Sequence, residues 1–349
     1  MKFTKNLQDE AGLIKVMKDS GKLSNEQIAD AVKHGAGSDQ PRALIRQMID
    51  FYDRDTNAFL KQLSLISGEA AEVKSGDAKE PTEDAPGRLG RDGFKKLIAD
   101  FEIEGCEGKL LKAVRMGHLL TVGSELKPRE QIAGSRFRGQ PALAPEDKWP
   151  KWKRQPMQFL LQIDLSDLPQ GGGGGVFPGA GLLSFFCVPE WDYSSPDAGK
   201  ILYHPSTDQL ELRATPDGVE EFSPRRMKIV PNILCLPPWE SDRFDALKLK
   251  GEASERYSDF VEELSSHQKP EGPAHLLLGY PDQVQGDLEY DANQSAHTRG
   301  KSWRLALQLD SDESLGTMWG DEGRIYFMIP EKTKEGDDYS DSCLVMQCG

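Results

Sequence analysis

QFLLQIDL, residues 158–165, followed after a glycine-rich gap by LLSFFCVPE at 182–190, is nearly repeated by WRLALQLD at 303–310, followed after a turn-rich gap by GRIYFMIPE at 323–331. Upstream of each pair lies a Gly-x-Pro step, Gly139-Gln140-Pro141 in one case and Gly279-Tyr280-Pro281 in the other. Short β-branched and aromatic runs bounded by Gly, Pro, Asp and Ser read as strands. Two such pairs in the same order are most simply explained by an internal duplication, which predicts two related β subdomains.

Outward from these pairs, strands are expected at 159–163, 182–188, 200–203, 210–213, 229–235, 302–309, 324–329 and 343–347. One helix is expected at 253–266, with Tyr257, Phe260, Val261 and Leu264 on one side, and a shorter one at 240–248. Before residue 128 the pattern is helical. Ser24 to Gln27 has the form of a capping box, and Pro41 fits the first turn of a second helix. Phe94, Leu97, Ile98 and Phe101, then Leu110, Leu111 and Val114, keep helical spacing, with Gly117 read as a stop. Residues 68–90 are polar and almost without large apolar side chains, which predicts a mobile loop. The expected fold class is α+β: a helical N-terminal domain at 1–128 and a duplicated antiparallel β-rich domain at 129–349.

Charge separates the same two parts. The chain of 349 residues has net charge -14; residues 1–130 hold 21 basic and 22 acidic side chains, and the remainder 22 and 35. The β-rich part therefore carries almost all of the excess, a field that repels phosphate backbones and attracts basic partners. Nucleic acid is not an expected partner, and no apolar run approaches the roughly 20 residues of a bilayer span. The start, MKFTKNLQDE, lacks a secretory apolar stretch, so the cytoplasm is the expected compartment. Cys106, Cys187, Cys235, Cys343 and Cys348 are odd in number and scattered, as expected of reduced thiols.

Catalytic and metal signatures are weak. Gly171 to Gly175 lacks the Lys-Ser/Thr of a phosphate loop and reads as a flexible hairpin loop. Asp310, Asp312 and Asp321 fall at positions of a calcium loop, but Leu315 stands where that loop needs glycine. The six histidines show no ligand spacing; His275 is the one of interest. No Gly-x-Ser-x-Gly elbow is present. No cofactor is expected.

Several motifs resemble those of the YwqG-like family, a bacterial family of unknown function. They are SRFRGQPAL (135–143) with Trp149-Pro150, FLLQIDLSDLP (159–169), GLLSFF (181–186), LPPWES (236–241), HLLLGYPDQVQGDLE (275–289), LALQLDSDESLGTMWGDEGRIYF (305–327) and the ending LVMQCG. The resemblance covers about residues 135–349 and implies an α+β fold with two related β subdomains. It implies no reaction. The glycine run at 171–175 and the helical segment before Pro128 depart from it.

The leading expectation is a non-enzymatic interaction module, an immunity or antitoxin type of protein whose acidic β domain covers a basic toxin. Trp149, Trp239, Tyr280, Gln283, Gln285, Asp287, Glu289 and Trp319 are its candidate contacts, since aromatic rings supply contact area at low entropy cost. The alternative is an enzyme or a binder of a small ligand, sugar or cation. Its cleft would lie between the β halves, lined by Gln162, Asp164, Gln308, Asp310 and His275.

Overall fold

A computed structural model describes Leu89 and residues 91–127, 134–188, 195 and 197–349, all within the unit Pro81–Gly349. The helices expected before residue 68, and the expected mobile loop apart from Leu89, lie outside the described residues.

The strands are β1 (Arg115–Glu125), β2 (Arg136–Phe137), β3 (Ala142–Leu143), β4 (Lys151–Trp152), β5 (Gln155–Pro156), β6 (Gln158–Asp164) and β7 (Leu182–Cys187), continuing with β8 (Gly199–His204), β9 (Glu211–Leu212), β10 (Arg225–Cys235), β11 (His275–Leu278), β12 (Trp303–Asp310), β13 (Arg324–Pro330) and β14 (Cys343–Gln347). The helices are α1 (Arg91–Asp100), α2 (Glu107–Ala113), α3 (Asp242–Asp245), α4 (Glu252–Glu255), α5 (Tyr257–Ser266) and α6 (Leu288–Ser295). The described part is thus mostly β with a few helices.

Ten strands form one antiparallel sheet in the order β14-β13-β12-β11-β1-β10-β2-β6-β7-β8. The sheet curls until its ends nearly meet. A Cβ on Gly199 of β8 would lie 2.8 Å from a ring carbon of Phe327 on β13, a contact only glycine can accept there. Phe185 and Phe327 stack edge to face with centroids 5.2 Å apart. The interior is one apolar core shared by both arms, with Leu161, Ile163, Phe185, Leu307, Leu309 and Phe327 in it. Each such side chain stabilises by roughly 1.5–3 kcal/mol on full burial. Because β7 is buried at every position, its sequence is a continuous apolar run rather than an alternating one.

The arms match in register. Gln162 on β6 faces Arg136 on β2, and Gln308 on β12 faces Leu276 on β11. Leu161 pairs with Phe185, Leu307 with Phe327, and both strand pairs are irregular at the same place, between 159 and 161 and between 305 and 307. At the centre β1 and β10 pair antiparallel, with Arg115 opposite Cys235 and Glu125 opposite Arg225. β1 precedes β2 in the chain yet pairs with β11, and β10 precedes β11 yet pairs with β2. This exchange stitches the arms into one sheet.

Gly117, read above as a helix stop, lies inside β1, and α2 ends at Ala113. Its lack of a side chain serves close strand packing: a Cβ there would lie 3.0 Å from Leu276 Cδ1 and 3.1 Å from the Leu278 carbonyl oxygen. β11 likewise had no strand expectation; four residues, all buried, are too few to show a period. The two arginines of SRFRG are structural. Arg138 donates from Nε to the Leu315 carbonyl and from Nη1 to that of Phe159, tying one arm to the other, and burial pulls its guanidinium down to about 10.

Outside the sheet, Leu288 and Ala292 of α6 cover β11 to β14. A second layer joins Phe94, Leu97 and Ile98 of α1 to Leu110 of α2 and to Tyr257, Phe260 and Leu264 of α5. Among the described residues no helix is long and apolar enough to cross a membrane.

Candidate functional site

A cleft of about 740 Å³ opens between α5, the segment after β10 and the loop after β11. Three local devices shape it. After β11 the chain turns at Gly279 (φ +80°), where a Cβ would sit 2.6 Å from Cys235 Sγ. Gln308 accepts from the Asp282 amide and donates to the Ala274 carbonyl, while Gln347 accepts from the amides of Val284 and Gln285. Opposite, Gln268 beyond α5 accepts from the Leu234 amide and donates to its carbonyl, so its side chain continues the hydrogen bonding of β10 and fixes the helix side of the cleft.

Rim and floor differ in charge. Trp239, 58% exposed, lines the cleft together with three exposed carboxylates, Glu240, Glu262 and Glu271. Deeper in, Lys269 Nζ meets Asp282 Oδ1 at 2.5 Å, with the lysine side chain 11% exposed. Arg324 donates to the Asp282 carbonyl and pairs with Asp310 at 3.2 Å; the Tyr326 hydroxyl donates to the same carbonyl. Burial works to raise the Asp282 carboxyl, but the Lys269 and Arg324 charges outweigh it and hold it below its ordinary value. Burial also works against the Lys269 charge, and Asp282 more than restores it. Asp310 goes the other way, pushed up by burial against the pull of Arg324. The floor is thus a neutralised network, and the unpaired charge of the cleft is the acidic rim.

His275 adjoins this network through Asp310. Its Nδ1 accepts from the Asp310 amide, which puts the ring proton on Nε2, where it donates to Asp312 Oδ2 at 3.2 Å. That hydrogen bond, with others from Ser314, holds the Asp312 carboxyl at about 2.

The sequence candidates separate into groups. Trp239, Tyr280 and Gln283 line the cleft. Trp149 donates to the Met157 carbonyl and packs on Phe186, and Trp319 is 6% exposed in the shared core. Asp287 caps α6, Glu289 pairs with Arg243 and accepts from the Trp303 amide, and Gln285 is bonded by Gln347. Gln162 and Gln308 stand on strands separated by four others, and each serves its own loop, so the structure does not bring them into one cleft. Asp164 caps the turn after β6. Of the calcium candidates, Asp310 accepts from Ala274 and Gln308, Asp312 caps the turn Glu313–Leu315, and Asp321 is exposed. Among the described residues no three His, Cys, Asp or Glu side chains are placed to hold a metal. Lys269, Arg324, Glu262 and Glu271 were not singled out from sequence, since isolated charges in a charged chain carry no pattern.

A family model described as a domain of unknown function (DUF1963) matches residues 135–348, more than half of the chain. No curated protein matches it.

Proposed function

The chain belongs to the DUF1963 family, and from that premise we propose that it is a non-enzymatic interaction module whose cleft receives a basic segment of another protein. The carrying observation is the exposed Trp239 beside Glu240, Glu262 and Glu271 on a cleft whose inner charges already neutralise one another. An indole face next to carboxylates suits a lysine or arginine side chain through cation–π and charge pairing. An immunity or antitoxin protein of the cytoplasm, covering a basic toxin, is the concrete form of this reading, supported by the acidic excess of residues 131–349. Affinity capture at low salt, followed by zero-length carbodiimide coupling, tests it. Partner lysines should couple to Glu240, Glu262 or Glu271, and capture should fail with Trp239→Ala; coupling confined to other carboxylates would refute it.

A second reading places a small cation or sugar in the same cleft, since about 740 Å³ lies in the range of small-molecule sites. In either case the reading extends to ancestry. The matching registers and the exchange of β1 and β10 support a duplication in which each half lent its first strand to the other. The motif resemblance to the YwqG-like family belongs to the same reading.

A further inference from the structure

A second opening, of about 500 Å³, is lined by Lys109, Lys112, Arg243, Lys248 and Tyr280, and among the described residues no carboxylate lines it. Its cations come from three segments: Lys109 and Lys112 from α2, Arg243 from α3, and Lys248 from the turn that follows. Lys109 Nζ donates to the Lys248 carbonyl at 2.8 Å, which ties α2 to that turn. Lys248 itself is held in the left-handed region, φ +50°. Neither Lys112 nor Lys248 makes an ion pair among the described residues. The pocket's arginine belongs to a cluster with a surplus of positive charge. Arg243 pairs with Glu289 and Glu331, Arg115 shares Glu331, and the buried Nε of nearby Arg304 has no hydrogen-bond partner among the described residues. Three guanidinium groups thus meet two carboxylates.

A lysine in the last turn of a helix also complements the helix dipole. That accounts for Lys112 and leaves unexplained the gathering of Lys109, Arg243 and Lys248 around the same opening with no described carboxylate in its lining. We propose that this pocket is an anion site for a small organic phosphate. Several ammonium groups act as point charges toward a multiply charged phosphate and supply more positive charge than a single carboxylate balances. The volume fits a small molecule, and Ala113, Pro237, Ala246 and Leu247 give the lining an apolar share.

The test is calorimetric titration of the full chain with pyrophosphate and with ADP, at ionic strength held constant with potassium chloride. Lys112→Glu and Lys248→Glu are the variants, and Lys228→Glu, an exposed lysine on β10, is the charge-matched control. Saturable one-to-one binding is expected, weakened about tenfold or more by either pocket variant and little by the control. Both lysines are exposed, so thermal unfolding of Lys248→Glu should match the parent, while Lys112→Glu should unfold slightly earlier because its carboxylate opposes the dipole of α2. Absence of saturable binding by either probe, or equal weakening by Lys228→Glu, would overturn the proposal.

Discussion

Gln162 and Gln308 hold the same station in the two arms of the sheet. Gln162 accepts from the Ala142 amide at 3.2 Å and donates to the Gly134 carbonyl at 3.1 Å; Gln308 accepts from the Asp282 amide at 2.9 Å and donates to the Ala274 carbonyl at 3.1 Å. Both span eight residues of chain with one amide. Gln308 also donates to the carboxylates of Asp282 and Asp310. Replacing it with leucine leaves a buried donor and acceptor without partners, each costing about 1–3 kcal/mol. Urea unfolding should show Gln308→Leu destabilised by at least about 2 kcal/mol and Gln162→Leu by less. A change under about 0.5 kcal/mol in Gln308→Leu would be that of an ordinary surface position.

The glutamines show where sequence was legible. Their recurrence in QFLLQIDL and WRLALQLD marked equivalent strands, and those strands are where they were expected. Their partners could not be read, because the backbone groups they serve lie 20 to 34 residues away in the chain. The cleft was legible only through Trp239, Tyr280 and Gln283; Lys269 and Asp282 acquire meaning when α5 and β11 come together. β1 was missed because Gly117 interrupts its apolar run and its partners on β10 lie 100 residues or more downstream.

β1 also bears on domain limits. It lies outside the 135–348 family match yet sits between β10 and β11 at the centre of the sheet. A chain beginning at Ser135 would expose the facing edges of both strands and open the shared core. Circular dichroism and gel filtration should find that fragment unfolded or aggregated. A cooperative thermal transition equal to that of the full chain would show β1 to be dispensable.

Acid should act through Asp312. Its carboxyl, held at about 2 by His275 and Ser314, ionises in the unfolded chain near about 3.9. The folded value is the lower one, so the stabilisation is complete above the unfolded value and is lost as pH falls from about 4 to 2. Over that window Asp312→Asn should lose less stability than the parent in urea titrations. Parallel profiles would contradict this assignment.

Lys269→Met removes the nearest countercharge of Asp282 and should cost about 3 kcal/mol at neutral pH, as loss of one partner of a buried pair does. Asp282 is held low in the folded protein, so the parent's advantage exists above about pH 4 and narrows as that carboxyl protonates. Chemical unfolding at pH 7 and pH 3 should show the gap between parent and variant shrinking; a constant gap would assign the loss to packing alone.

The most direct measurement is fluorescence anisotropy of a labelled Lys/Arg-rich peptide titrated with the full chain, its Trp239→Ala variant and a Glu240→Lys/Glu262→Lys variant, at low and high salt. Trp239 is 58% exposed, so its truncation leaves the fold intact, and loss of a central aromatic contact costs about 2 kcal/mol, roughly thirtyfold in affinity. The account predicts that both variants lose the peptide and that salt weakens the parent's binding steeply. Equal affinity in all three proteins, unchanged by salt, would contradict it.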